Sequence, residues 1–198
     1  MPNLIVIAGP NGAGKSTVAP TLLRDLLGID EFVNADVIAR GLSAFDPESA
    51  AIQAGRIMLQ RLRELAQQRA DFAFETTLAS RVFAPWVAGL AESGYLFRLV
   101  YLWVESAELC ITRIAERVRT GGHDIPHDVV RRRYSAGLRN FFELYRPLAE
   151  TWQVYDNSCG PPVHLVAEGH HDHISSVYDE SIWSSVTRGL RDADQGKA

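Results

Sequence analysis

Leu4-Ile5-Val6-Ile7-Ala8 is apolar without interruption, the pattern of a strand covered on both faces. A helix is expected from about Ser16. Pro20 fits there because it falls within about the first turn, where backbone donors lack helical partners. Glu31 to Asn34 reads as a second strand, followed by a short helix over Val37 to Arg40. Asp46-Pro47-Glu48 supplies a cap, a proline and an early acid for a helix ending near Ala70. Its apolar face is Ala51, Ala54, Met58, Leu62 and Leu65, spaced three or four apart. Asp71 to Glu75 predicts a third strand, Phe83 to Glu92 a helix, and Tyr95 to Val104 a long strand. Helices over Ala107 to Arg119 and Pro126 to Tyr145 flank the break at 120–126. Short strands follow at Trp152 to Tyr155 and Val163 to Ala167, then a closing helix from Ile174 to Leu190. Strands alternate with helices, which predicts an α/β fold: a mostly parallel sheet with helices on both faces.

Composition narrows this picture. The 198 residues are 46% hydrophobic, enough for one core, so one domain over 1–198 is expected. A formal net charge of −4 gives no global reason for nucleic-acid or anionic-membrane binding. No apolar run approaches the roughly 20 residues that span a bilayer. Two cysteines, Cys110 and Cys159, make a disulfide scaffold unattractive. With no targeting segment evident, a reducing cytoplasm is the simpler expectation. Lysine occurs only at Lys15 and Lys197, and the tail from Asp192 to Ala198 reads as frayed.

Lys15 lies in Gly9-Pro10-Asn11-Gly12-Ala13-Gly14-Lys15-Ser16, which fits G-x-x-x-x-G-K-[ST] in full. Such glycines let a loop turn its amides toward phosphate oxygens. The following helix adds partial positive charge, Lys15 reaches the outer phosphates, and Ser16 can ligate Mg²⁺. Gly9 through Ser16, with Thr17, are therefore the predicted nucleotide contacts, and ATP with Mg²⁺ the predicted cofactors. A transport ATPase would also carry an LSGGQ-like signature and an apolar strand ending in Asp-Glu. The chain has neither.

In a parallel sheet, ligands sit beyond the carboxyl ends of the strands. The second strand ends at Asn34-Ala35-Asp36 and the third at Glu75-Thr76-Thr77, so Asp36 and Glu75 are expected to face the phosphates. Transfer to an alcohol needs a carboxylate to accept the hydroxyl proton. Asp36 is assigned as that base, although it could instead cap the short helix. Glu75 either binds acceptor hydroxyls or holds a Mg²⁺ water.

Between Arg113 and Arg139 the chain carries seven arginines against three carboxylates, Glu116, Asp124 and Asp128. Gly121-Gly122 splits them between two helices, like a lid (about 113–139) closing over polyphosphate. Some will simply form a solvated face. Arg117, Arg119 and one of Arg131, Arg132 and Arg133 are the phosphate candidates, with Arg117 and Arg132 assigned to catalysis and Arg119 to nucleotide binding. Which of the three consecutive arginines points inward does not follow from periodicity. His123 could contact phosphate or cap a turn. Gly169-His170-His171-Asp172-His173 reads as an exposed loop rather than a metal site, and Cys159 as inert.

With these motifs together, the chain resembles the zeta-toxin family of small kinases. The resemblance rests on the loop, Asp36, Phe74-Glu75-Thr76-Thr77-Leu78, and the lid Gly121-Gly122-His123-Asp124-Ile125-Pro126. Arg132-Arg133-Tyr134 and Tyr155-Asp156-Asn157-Ser158 extend it. It implies Mg²⁺-dependent phosphorylation by ATP of a hydroxyl on a sugar nucleotide, UDP-N-acetylglucosamine, with a small helical antitoxin as partner. On that pattern Glu75 and Thr76 hold the acceptor. The loop differs from the Pro-Gly-Ser-Gly-Lys form more usual in these toxins. Other hydroxyl acceptors (a sugar, a nucleoside, an RNA end) and a regulatory ATPase without acceptor are the alternatives.

Overall fold

Seven strands form one sheet in the order β2-β3-β1-β4-β5-β6-β7 in a computed structural model of the chain. It describes residues 1–26, 28–122 and 124–195, with only the backbone described for 24–26 and 191–195. His123 of the lid and Lys197 of the tail lie outside the described residues.

The strands are β1 (Asn3–Ala8), β2 (Phe32–Val33), β3 (Phe72–Thr76), β4 (Leu96–Trp103), β5 (Thr151–Asp156), β6 (His164–His170) and β7 (His173–Val177). The first five run parallel, and β6 and β7 add an antiparallel edge. The helices are α1 (Lys15–Pro20), α2 (Ala35–Leu42), α3 (Ala51–Gln67), α4 (Phe83–Glu92), α5 (Ala107–Arg119), α6 (His127–Asn140) and α7 (Glu180–Gln195).

The central position of β1 explains its unbroken apolar run. Leu4, Val6 and Ala8 pack on one face with Met58, Leu62 and Leu65 of α3 and Val87 of α4. Ile5 and Ile7 pack on the other with Ala19 of α1 and Cys110 and Ile114 of α5. On the first face, Phe74 meets Phe83 and Trp86, while Trp152 of β5 stacks on Trp183 of α7 at 6.0 Å and 12°. Such aromatic pairs add about 0.5–1.5 kcal/mol each beyond their buried area. No helix among the described residues is long and apolar enough to cross a membrane.

Three expectations change. The helix expected from Ile174 is the edge strand β7 followed by α7, whose first turn is capped by the Asp179 carboxylate accepting from the Ile182 N–H at 2.9 Å. Ile174 and Val177, three apart like helical core positions, sit on a half-exposed edge instead. The exposed loop expected at 169–173 is the tight β6–β7 hairpin connection, exposed from His170 to His173, with His171 at φ 50. After Pro20 the helix widens into a π-type turn over Thr21–Leu26, because proline donates no hydrogen bond and its ring crowds the preceding turn. At the other end, the backbone of α7 runs through Asp192 to Gln195, inside the segment expected to fray.

Candidate active site

The glycine loop leaves β1 and closes at α1, whose N-cap Gly14 is left-handed with φ 84. A Cβ at Gly14 would lie 2.5 Å from the Asn157 Nδ2, so backbone angle and space both demand glycine. Asn157 follows β5 and is 4% exposed. Its Nδ2 donates to the Ala13 carbonyl at 2.7 Å, and its own N–H donates to the Trp103 carbonyl at 2.9 Å. It therefore ties the loop to the ends of β4 and β5. The sequence named it only within the Tyr155-Asp156-Asn157-Ser158 match and gave it no chemical role.

Lys15 is 5% exposed. Its Nζ donates to the carbonyls of Gly9 and Pro10, both at 2.9 Å, and lies 3.5 Å from the Glu75 Oε1. The other carboxylate oxygen, Oε2, accepts from the Ser16 hydroxyl at 2.8 Å and from the Asn34 Nδ2 at 2.7 Å. The chemistry of this donor set suits a hard cation: Ser16 and Glu75 offer a hydroxyl and a carboxylate side by side. The amide-lined loop with its lysine suits a polyphosphate.

Asn34 is the second residue that the sequence left without a role. Its Oδ1 accepts from the N–H groups of Asp36 and Val37, capping α2, while its Nδ2 holds Glu75. An asparagine ahead of a helix carries a cap signal, and that signal could have found it. Asp36 is consequently not the cap. It sits in the first turn of α2, exposed, and among the described residues nothing forms a hydrogen bond or ion pair with its carboxylate.

A cleft of about 640 Å³ brings Asp36 together with Asn11, Lys15, Glu75, Thr76, Arg132 and Arg133. Along one side runs the loop after β3, held in an unusual conformation. Leu78 is fully buried yet has φ 55, costly for a bulky residue. Asn140 of α6 donates to the Leu78 carbonyl at 2.7 Å, and the Tyr145 hydroxyl donates to the Ser80 carbonyl at 3.1 Å. Burial pushes the Tyr145 phenol up to about 12, so it remains a donor at any physiological pH. Thr76 turns its hydroxyl to the Leu78 N–H at 3.1 Å.

The lid arginines separate by contact. Arg131 lies outside the cleft, paired with Glu108 at 2.8 Å, and that bond holds the Glu108 carboxyl below its ordinary range. Arg132 lines the cleft. Arg133, which the sequence could not separate from its neighbours, also lines it and donates to the Asn11 Oδ1 at 3.2 Å. Arg113 donates to the Ser158 carbonyl at 2.8 Å. Arg117 and Arg119 are exposed in the last turn of α5 and are not among the cleft's lining residues. Arg117 instead runs beside Gly122, where a Cβ would lie 2.5 Å from its Cγ. Gly12, Ala13, Ser16 and Thr17 remain in the loop and first turn, with the Thr17 N–H bonded to the Gly14 carbonyl at 3.0 Å.

Residues 4–144 match the family model described as an AAA domain. The chain belongs to that family. The match stops before β5, so Asn157 and the antiparallel edge lie beyond it. An uncharacterised protein of Haemophilus influenzae is 32% identical over 130 residues, covering 66% of this chain and 91% of the relative. The cytidylate kinase of Haloquadratum walsbyi is 32% identical over 123 residues, covering 58% of each. Among solved structures, a chain of the AvrRxo1-ORF1:ORF2 complex with ATP aligns at TM-score 0.71 and 18% identity. That alignment covers 94% of this chain but 64% of the other. A chain of the PezAT toxin–antitoxin system of Streptococcus pneumoniae aligns at TM-score 0.65 and 17% identity, covering 98% and 87%. At these identities the structural likeness establishes a shared P-loop kinase-type fold.

Proposed function

We propose that the chain is an ATP- and Mg²⁺-dependent kinase that phosphorylates a hydroxyl on a small molecule. The carrying observation is that the unpartnered Asp36 carboxylate lines the same cleft as the Lys15 ammonium. A proton acceptor and a phosphate grip that share one cleft fit in-line phosphoryl transfer.

In this reading the loop amides and Lys15 hold the triphosphate, and Ser16 with Glu75 hold Mg²⁺, which offsets phosphate charge. Asp36 takes the acceptor's hydroxyl proton as its oxygen bonds to the γ-phosphorus and the bond to the β–γ bridging oxygen breaks. ADP leaves. Arg132 and Arg133 stabilise the charge spread over the transferring group. Thr76 positions the acceptor, whereas the bonds from Glu75 to Ser16 and Asn34 favour the metal role for that carboxylate. Arg117 and Arg119, exposed in the lid, would reach phosphate only on closure.

UDP-N-acetylglucosamine is the first acceptor to test, and the PezAT likeness supports including a small antitoxin-type partner protein in the same proposal. The cytidylate kinase relative favours a second reading, in which a nucleoside monophosphate accepts through a phosphate oxygen and needs no base. Radiolabelled ATP and Mg²⁺, incubated with UDP-N-acetylglucosamine, CMP, cytidine and simple sugars, separate the two. A labelled hydroxyl product supports the first reading, and labelled CDP the second. Hydrolysis of ATP at a rate indifferent to every acceptor would overturn both in favour of an ATPase.

A further inference from the structure

Of the five cleft-lining residues of α3, Met58 belongs to the core, and the other four, Ile52, Gly55, Arg56 and Leu59, recur at the spacing of one helix face. None is explained by the phosphate chemistry. Ile52 is 76% exposed although its side chain borders the cleft, and Val82 and Phe83 at the start of α4 border the same cleft. Gly55 lies inside a helix, where glycine is unfavourable, yet a Cβ there would meet nothing within 4 Å. No packing within the protein requires it, and its absent side chain leaves a slot along the helix. Arg56 has no hydrogen bond or ion pair among the described residues. Arg61, one and a half turns on, is held by Glu31 at 3.0 Å and Glu64 at 3.6 Å.

An unpaired guanidinium, an open slot and apolar flanks, all on the β2–β3 side of the cleft, fit one kind of molecule. We propose that Arg56 is a specificity-determining residue that binds a phosphate or carboxylate group of the acceptor, whose flat ring lies along α3 over Gly55 between Ile52 and Val82. The acceptor is then an anionic, ring-bearing compound, and a neutral analogue lacks the group that Arg56 reads. A guanidinium suits this role through its planar, two-pronged donation to anionic oxygens. The proposal builds on the kinase reading for the name acceptor, but binding can be measured without turnover.

Calorimetry on the whole chain tests it with matched pairs: CMP against cytidine, and UMP against uridine. The expected result is that at least one anion binds tenfold or more tighter than its neutral counterpart. R56Q should weaken that anion by roughly ten- to hundredfold, the range for losing a hydrogen bond to a charged group, and R56K should restore part of it. R63Q, on the same helix but outside the cleft lining, should leave the preference intact. G55L should weaken the ring-bearing anion with no fall in thermal midpoint, which separates a filled slot from a damaged fold. Equal affinity within both pairs, including no binding of any member, overturns the proposal, as does an R56Q profile matching R63Q. Failure of the kinase reading looks different: the anion preference persists while no phosphorylated product forms.

Discussion

The two walls of the cleft are built in opposite ways. On the phosphate wall each side chain of the constellation already has a partner: Lys15 with Gly9, Pro10 and Glu75, Glu75 with Ser16 and Asn34, and Asn157 with Ala13 through its Nδ2, its buried Oδ1 alone having none among the described residues. On the opposite wall Asp36 and Arg56 stand exposed and unpartnered, and Gly55 leaves open space. A buried network holds its geometry because leaving any member unsatisfied is costly. Exposed, unpaired groups cost the fold little and are available to a ligand. Substitutions on the first wall should therefore damage folding and nucleotide binding together, and those on the second should spare the fold.

Asp36→Asn should produce the largest effect, lowering acceptor phosphorylation by about 10²- to 10⁴-fold if Asp36 is the general base. ATP affinity and thermal midpoint should stay near wild type. Loss of ATP binding, seen by calorimetry, would instead assign Asp36 to the phosphate wall. Lys15→Ala should weaken both nucleotide binding and turnover by roughly 10²-fold or more, since a charge-assisted contact to the transferring phosphate is lost. Unchanged affinity for Mg²⁺–ATP in that variant would contradict the phosphate grip.

Asn157→Ala removes the donor that satisfies the buried Ala13 carbonyl and should cost about 1–3 kcal/mol in urea unfolding. It should also loosen nucleotide binding, because the glycine loop leans on that side chain. Asn34→Ala loses a helix cap worth about 0.5–2 kcal/mol and frees Glu75 from one partner. Gly55→Ala closes the series with a change of opposite sign. Helix propensity predicts stabilisation by about 0.5–1 kcal/mol. A destabilised Gly55→Ala, by the same unfolding measurement, would mean that this part of α3 is packed and that the contrast between the walls fails there.

Cysteine chemistry gives a pH-dependent check on the phosphate side. Burial pushes the Cys110 thiol up to about 11, and its carbonyl abuts Gly12. With the folded value above the ordinary thiol value, the folded chain keeps a proton that the unfolded chain sheds. Stability should thus fall as pH rises from about 9 toward 11. At pH 8 a thiol reagent should label exposed Cys159 and spare Cys110. Labelling of both in the native protein would place Cys110 in an accessible setting.

Local patterns in the chain determined much of this architecture by themselves. The glycine loop between strand and helix, α4 and α5 with the expected boundaries, and the alternation that dictates a parallel sheet all follow from spacing between near neighbours. Such patterns report which face of an element is buried, since periodicity records burial directly. They failed at β7, where Ile174 and Val177 mimic helical spacing, because an edge strand with one covered face carries too few positions to reveal period two. Only the tertiary structure decided what lies between distant segments. Asn157 reaches Ala13 across more than two thirds of the chain, Asn34 chooses Glu75, and Arg132 and Arg133 rather than Arg131 face the cleft. These choices depend on strand order and on how α6 packs. Strand order is set by the sum of many long-range contacts, and no window of sequence contains it.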